Sequence, residues 1–340
     1  MPKTGQIIIG LSHPPWTHQE HIDFSVNEMK ELNIDTIRLG VSWADREPNK
    51  GEFYWKPFDI RMKGVTDNNL SLLLTIRQSG PDWACTEIRN ENSCVYKNKE
   101  DFRTFIRELL LRYPNQIDKI QFGNEWDSDF WWIGTSEELV ELNNILYDTV
   151  KELSWETIVV LGGITRGPFM ISLICEKGGK YYDLVTSIGK SYSHEEVADF
   201  CENDYPQAKE NFLYVFENAK YEMIDLHLYD DVGWWEYYYN ELKEISDKPV
   251  IVSELGGPNM IYESCETCSH PYTEEYQAEK MKEYFAKVDE LGVEEAYYFK
   301  LIQGGDASEQ HQTSGLMTEQ LKKKASYYVL KEIIEKQLEE

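Results

Sequence analysis

Two glutamates stand where this sequence can do chemistry. Glu125 closes the run Ile120-Gln121-Phe122-Gly123-Asn124-Glu125, a short apolar stretch ended by glycine and followed at once by Asn-Glu. Glu254 closes a second such run, Pro249-Val250-Ile251-Val252-Ser253-Glu254, and opens onto Leu255-Gly256-Gly257. Short apolar runs bounded by turn residues read as buried strands. One Asn-Glu pair is common on ordinary surfaces, but two carboxylates at two matching strand ends are the minimum apparatus for cleaving a glycosidic bond. One attacks the anomeric carbon; the other, kept protonated by burial and by its neighbour's charge, protonates the leaving oxygen. The pair lies 129 positions apart, room for several strand–helix units.

The intervening chain supplies those units. Strands are predicted over Gln6–Leu11, Asp35–Trp43, Leu70–Arg77, the Asn-Glu run, Ile158–Gly162, Tyr221–Tyr229, Lys248–Glu254 and Glu295–Ile302. Between them, apolar residues recur at helical spacing: Ile22, Val26, Met29 and Leu32 within His18–Leu32, then Phe102, Phe105, Ile106, Leu109 and Leu110 within Glu100–Arg112. Further helices are predicted up to about Asn68 and over Ser136–Leu153, Glu274–Leu291 and Lys322–Lys336, with a helix plus an inserted loop across Phe169–Tyr221. Eight strands alternating with helices predict an α/β fold, a (β/α)8 TIM barrel with elaborated loops, spanning 1–340 as one catalytic domain. No G-x-G-x-x-G or GxxxxGK[ST] element follows a strand, which argues against a nucleotide-binding sheet.

Composition narrows the partners. With 34 basic against 61 acidic residues, the chain carries a formal charge of −27, which opposes nucleic acid. No run approaches the ~20 apolar residues of a membrane span. Met1-Pro2-Lys3-Thr4-Gly5 has no apolar signal region, so a cytoplasmic location is expected if the chain is complete and secretion if a leader was removed. Cys85 and Cys94 flank a polar loop and are candidates for a disulfide; Cys175 and Cys201 show no partner in sequence. Cys265-x-x-Cys268, with His270 beyond, is at most half a zinc site, so neither metal nor cofactor is expected.

Four motifs then agree: Asn124-Glu125 after strand four, Ser253-Glu254 after strand seven, Arg38 on strand two, and His227-x-Tyr229 after strand six. On these the chain resembles clan A, the retaining glycoside hydrolases with (β/α)8 barrels, over almost its whole length. Its Glu47-Pro48-x-x-Gly51 loop also resembles endoglucanase, mannanase and β-xylosidase families of that clan. The resemblance implies Glu125 as acid/base and Glu254 as nucleophile. Arg38 would keep Glu254 ionised through charge-assisted hydrogen bonds, Asn124 would bond the sugar 2-hydroxyl, and Tyr229 the nucleophile. His227 would face the sugar or orient its neighbours. Trp43, Trp83, Trp131, Trp132, Trp234 and Trp235 fall in or near loops on the catalytic face and are candidates for stacking on sugar, with burial as the competing use. One departure stands out: the clan often ends strand eight with tryptophan, where this chain reads Ala296-Tyr297-Tyr298-Phe299-Lys300-Leu301. Phe299 is the candidate platform there, and Lys300 the candidate contact to a hydroxyl or an acidic sugar.

The expected activity is therefore hydrolysis of a β-linked oligo- or polysaccharide by double displacement, with carbohydrate as partner and oligomeric state open. A catalytically inactive carbohydrate-binding barrel is the rival. A metal-dependent hydrolase would want more strand-end ligands than His13 and His227 offer.

Overall fold

The computed structural model describes residues 6–90, 92–153, 156–177, 193–229, 232–256, 273–304 and 313–339. Eight strands run parallel: β1 (Ile8–Ser12), β2 (Thr36–Val41), β3 (Ser71–Ile76), β4 (Lys119–Phe122), β5 (Ile158–Ile164), β6 (Met223–Leu226), β7 (Val250–Gly256) and β8 (Glu295–Tyr298). Each pairs with the next, and β8 pairs with both β7 and β1, so the sheet closes into a barrel as the alternation predicted. A two-residue piece, Leu228–Tyr229, continues the line of β6 along the end of β7.

Parallel neighbours need a crossover, and helices supply it. The helix Lys99–Arg112 shows why these segments wind. Asn98 caps it, accepting from the Glu100 N–H at 3.1 Å, and Glu100 and Asp101 sit in its first turn, where the helix dipole favours negative charge. Its buried face is Phe102, Phe105, Ile106, Leu109 and Leu110, the five residues that the spacing picked out. At ~1.5–3 kcal/mol for each large side chain, that face contributes on the order of 10 kcal/mol.

Inside the barrel the side chains form layers, because alternate residues of each strand point inward. At the N-terminal end Lys119 pairs with Glu295 at 2.6 Å, and the Tyr297 hydroxyl donates to Glu295 at 2.7 Å. Above them Leu73, Val160, Met223, Ile251 and the Tyr297 ring make a small apolar cluster of their own. The next inward positions turn polar: Arg38, Thr75, Gln121, Asp225 and Ser253, all buried. That switch marks the functional end.

The loops depart from the sequence reading in two places. A hairpin, Cys85–Asn90 with Ser93–Tyr96, fills the connection after β3, closed by the expected Cys85–Cys94 disulfide. The stretch read as one helix plus a loop holds three helices among its described residues: Gly167–Lys177, His194–Asn203 and Tyr205–Asn218. Cys175 on the first is bonded to Cys201 on the second, correcting the reading that neither had a partner. The two face each other only once the chain has turned back, a fact spacing does not carry. Cys265, Cys268 and His270 lie outside the described residues. Among the described residues no helix is long and apolar enough to cross a membrane.

Candidate active site

Arg38 occupies the centre of the barrel mouth with no exposed surface. A buried guanidinium needs acceptors for its fork of donors. Its Nε donates to Thr75 Oγ1 at 3.0 Å, its Nη2 to Asn124 Oδ1 at 2.6 Å, and its Nη1 to Ser12 Oγ at 3.4 Å and to Glu254 Oε1. The Tyr229 hydroxyl donates to the other oxygen of Glu254. Burial alone would favour the neutral acid, but the charges of His227 and Arg38, with the Tyr229 bond, hold Glu254 well below the usual carboxylate range.

Strand parity would send Glu254 the wrong way. Ile251 and Ser253 face the interior, so simple alternation points Glu254 outward. The register between β7 and β8 shifts between Val252 and Leu255, and this bulge turns Glu254 into the mouth. Asp225 secures the distorted strand from β6, accepting the Ser253 N–H at 2.8 Å and the Ser253 hydroxyl.

Glu125 reaches the mouth by leaving its strand. Gly123 has φ +89° and Glu125 itself φ +47°, a left-handed conformation uncommon for glutamate. Gln78 braces this turn, donating to the Asn124 carbonyl at 2.7 Å and accepting the Asn124 N–H at 3.0 Å. The side-chain amide thus supplies the partners that a neighbouring strand would have given. A Cβ on Gly123 would lie 3.0 Å from that amide and press on it, so φ calls for glycine and the tight space reinforces it. Trp131 Nε1 donates to Glu125 Oε2 at 2.8 Å, and His227 Nδ1 lies 2.9 Å from Glu125 Oε1.

His227 links the two carboxylates. Its Nδ1 is also 3.7 Å from Glu254 Oε2, while Nε2 lies 3.2 Å from Ser253 Oγ and 3.5 Å from Asp225 Oδ2. Burial disfavours the imidazolium, yet Glu254 and Asp225 outweigh it and push the pKa up to about 10. Both ring nitrogens are therefore donors at neutral pH. One oxygen of Glu125, one of Glu254 and a nitrogen of His227 all lie within 4.8 Å of one another. Both oxygens of Glu254 already accept from Arg38 and Tyr229, and the two cations Arg38 and His227 beside them oppose a metal ion, so the donor set fits proton and glycosyl transfer better than cation binding.

The structure brings together Glu125, Glu254, Arg38, Asn124, His227, Tyr229 and Trp131. Phe299 joins them half-buried, its ring 6.2 Å from those of Tyr229 and of His13. Lys300 turns its amine to the Gly304 carbonyl at 2.6 Å. Trp43 does not belong to the group. It has no exposed surface, packs against Trp83, Tyr96, Phe102 and Phe105, and donates to Glu47 Oε2 at 2.7 Å, so it offers no face to a sugar. Trp132 and Trp235 are buried likewise; Trp235 stacks on Tyr284. Trp83 is half-buried, tied to the Glu47 carbonyl, with Lys50 5.3 Å over its ring. Trp234 is half-buried beside the helix Trp235–Ile245. Sequence reasoning missed Gln78, Thr75, Ser12 and Asp225, and also Gly163, where a Cβ would stand 2.3 Å from His227 Nε2. Their shared signal is a polar residue or glycine at an inward position near the C-terminal end of a strand.

Beyond Glu125 a cavity of about 830 Å³ opens past Asp127 and Ser128, walled by Phe169, Tyr205 and Phe212. Burial, with Glu125 adding to it, raises Asp127 to about 6 against two bonds from Thr165.

Residues 2–292 match the family described as Cellulase (glycosyl hydrolase family 5). The chain belongs to that family. No curated protein sequence matches this family 5 chain. Among solved structures, an exo-beta-1,4-mannosidase from Opitutaceae bacterium strain TAV5 is 13% identical, with a TM-score of 0.66 over 98% of this chain and 60% of its own. A GH5_18 variant from Bifidobacterium longum subsp. longum, in complex with Manb1-4GlcNAc, is 14% identical (TM-score 0.65; 97% of this chain, 78% of that one). A beta-glucosidase from Exiguobacterium marinum is 11% identical (TM-score 0.67; 100% of both chains). At such identities these likenesses speak for the barrel alone. The chain spans about three-fifths of the mannosidase's length.

Proposed function

We propose that this family 5 chain is a retaining β-glycoside hydrolase, with the barrel as one catalytic domain, acting on a β-linked oligo- or polysaccharide. The carrying observation is the placement of Glu125 and Glu254 within 4.8 Å of each other, each held by different partners. Double displacement wants carboxylates ~5–5.5 Å apart, whereas inversion leaves ~6.5–9.5 Å for a water.

Glu254 is ionised and aimed, so it attacks the anomeric carbon. As that bond forms and the glycosidic C–O bond breaks, the Glu125 carboxyl gives its proton to the departing oxygen. Glu125, now a carboxylate, takes a proton from water; the water oxygen attacks the same carbon, Glu254 leaves, and the sugar departs with its original configuration. His227, 2.9 Å from Glu125 and 3.7 Å from Glu254, places its charge between the two. Asn124, held by Arg38, faces the sugar 2-hydroxyl, and Phe299 beside Tyr229 offers the apolar surface under the ring.

The test is intact-protein mass after incubation with 2-fluoro-glycosides of the gluco, manno, xylo and galacto series. The mannosidase and the Manb1-4GlcNAc complex among the likenesses make the manno probe the first choice. A mass gain mapped to Glu254, absent from Glu254→Ala, is expected with one of them. No adduct with any probe and no turnover of polysaccharides would favour a binding protein; an adduct elsewhere would refute the assignment of Glu254.

A further inference from the structure

Three arginines gather over the ends of β1–β3 without carboxylate partners. Arg46 ends the short turn Trp43–Arg46 after β2, Arg61 lies on the helix Lys56–Asp67, and Arg77 follows β3. Arg46 and Arg61 flank one ring, with their guanidinium carbons 6.0 and 5.2 Å from the centre of Phe58. Arg77 faces inward, two residues beyond Thr75, over Gly40. A Cβ on Gly40 would lie 3.5 Å from Arg77 Nε and 3.9 Å from His13 Nε2. Gly40 is itself two residues beyond Arg38 on the inward face of β2, so its missing side chain leaves open the space between Arg77, His13 and the site below.

Elsewhere Arg38 pairs with Glu254, Arg103 with Glu100, Arg107 with Glu152 and Arg112 with Asp59, while Arg166 donates to the Tyr229 carbonyl. Arg46, Arg61 and Arg77 form no salt bridge among the described residues, although acidic residues outnumber basic ones by 61 to 34. Arg61 is the sharpest case. Its Nε is buried with no acceptor, and burial with the charges of Arg46 and Arg77 pulls its pKa down to about 10. Asp45 is the carboxylate that offsets this, and it is exposed. A buried donor without an acceptor is costly, and neighbouring like charges add to that cost. An anion brought from outside would relieve it.

We propose that Arg46, Arg61 and Arg77 form a subsite for an anionic substituent, a carboxylate or ester sulfate, on a sugar lying to the Glu254 side of the cleaved bond. Placement on that side follows from the contacts: Arg77 and His13 flank the gap over Gly40, His13 Nδ1 lies 2.9 Å from Ser12 Oγ, and Ser12 accepts from Arg38, the partner of Glu254. The overall charge of −27 does not forbid it. At physiological salt, charges more than ~8 Å away are largely screened, so the local guanidinium groups dominate what an approaching ligand meets in the mouth. This inference rests on the glycoside hydrolase reading of the site.

The test is calorimetric binding to the full chain carrying Glu125→Gln, so that ligands are not consumed. The probes are β-1,4-linked tetraoses of glucose, mannose and xylose, each neutral, uronate-bearing and sulfated. At 20 mM salt (a condition set at about the low-ionic-strength limit), one charged form is expected to bind at least ~10-fold tighter than its neutral parent, as for a desolvated charge-assisted contact. The gap should narrow as salt is added. Arg77→Gln, at an exposed position where folding is not at risk, should cut the charged-to-neutral ratio ~10-fold, and Arg61→Gln should do the same. Preference for uronate over sulfate, or the reverse, identifies the group. Equal affinity for charged and neutral forms, absence of binding by every charged form, or a preference that survives Arg77→Gln would overturn the proposal. Labelling of Glu254 by a neutral 2-fluoro-glycoside in the same preparation would show that the hydrolase reading stands even so.

Discussion

Arg38 binds Ser12, Thr75, Asn124 and Glu254 at once, so its replacement tests the site more severely than loss of either glutamate. Arg38→Met leaves the Glu254 charge buried without its salt-bridge partner, and removing one partner of such a pair costs about 3–5 kcal/mol. A fall of that size in urea unfolding, with loss of turnover, is expected; a variant as stable as the parent would contradict the pairing. Glu125→Gln should depress turnover by about 10²–10⁴-fold, the range of general acid–base catalysis. Substrates with activated aryl leaving groups, which need no proton to depart, should suffer least in the first step. The pH dependence of stability follows from four groups. His227 is raised from 6.5 to about 10, so its contribution is complete below pH 6.5 and is lost as pH rises towards 10. His13 is lowered by burial to about 3 and stays neutral while the unfolded chain takes up a proton, so stability falls as pH drops from 6.5 towards 3. Asp127, raised from 3.8 to about 6, adds stability that is complete below pH 3.8 and lost as pH rises to 6, which opposes His13 over that window. Glu254, depressed below 4.5, contributes fully above that value and loses its share only in stronger acid. The melting temperature should therefore be highest on a plateau that ends near pH 6.5, and His227→Gln should flatten the alkaline side; an unchanged alkaline limb in that variant would refute the imidazolium. Arg38, Asn124, His227 and Tyr229 were legible because they fall in motifs beside the two glutamates, whereas Ser12, Thr75 and Asp225, single polar residues at inward strand positions, passed unread. The aim of Glu254 was not legible either, since it depends on a bulge that alternation cannot show. Nor was the burial of Trp43, because a loop tryptophan looks the same in sequence whether it stacks on sugar or on Phe105.

At the level of elements, all eight strands were readable, and so was the helix Lys99–Arg112 down to its buried face. Apolar periodicity reports what faces the core, and barrel strands have two buried faces to report. The hairpin after β3 and the helices of 194–218 were harder. The helix His194–Asn203 has no fully buried residue: its short stripe, Val197, Phe200 and Cys201, is only half-buried, and a Ser193–Glu196 capping box and the Cys175–Cys201 bond add to what holds it. That bond closes a loop of 26 positions, for which chain entropy gives roughly 3 kcal/mol. Cys175→Ala with Cys201→Ala should lower the unfolding free energy by about that amount. Thermal melts of this double variant against the parent, both without reductant so that Cys85–Cys94 stays closed, read it directly; equal midpoints would mean that the helices hold each other without the link. Phe105→Ala, in a fully buried position, should cost about 3–5 kcal/mol by leaving a cavity among Trp43, Trp55 and Phe102.

For the whole molecule, the closed barrel has one decisive property: its interior is polar at both ends and dry between them. Lys119 and Glu295 form the floor, and Leu73, Val160, Met223, Ile251 and Tyr297 lie above it as a stopper. Nothing passes through such a column, so traffic at the site is single-ended. On the proposed double displacement, sugar would enter, the cut fragment leave and water arrive by one doorway. Water would then reach the sugar–Glu254 ester only after the first fragment has backed out of the space beside Glu125. The floor of the barrel, far from the reacting atoms, would thus set the order in which guests come and go.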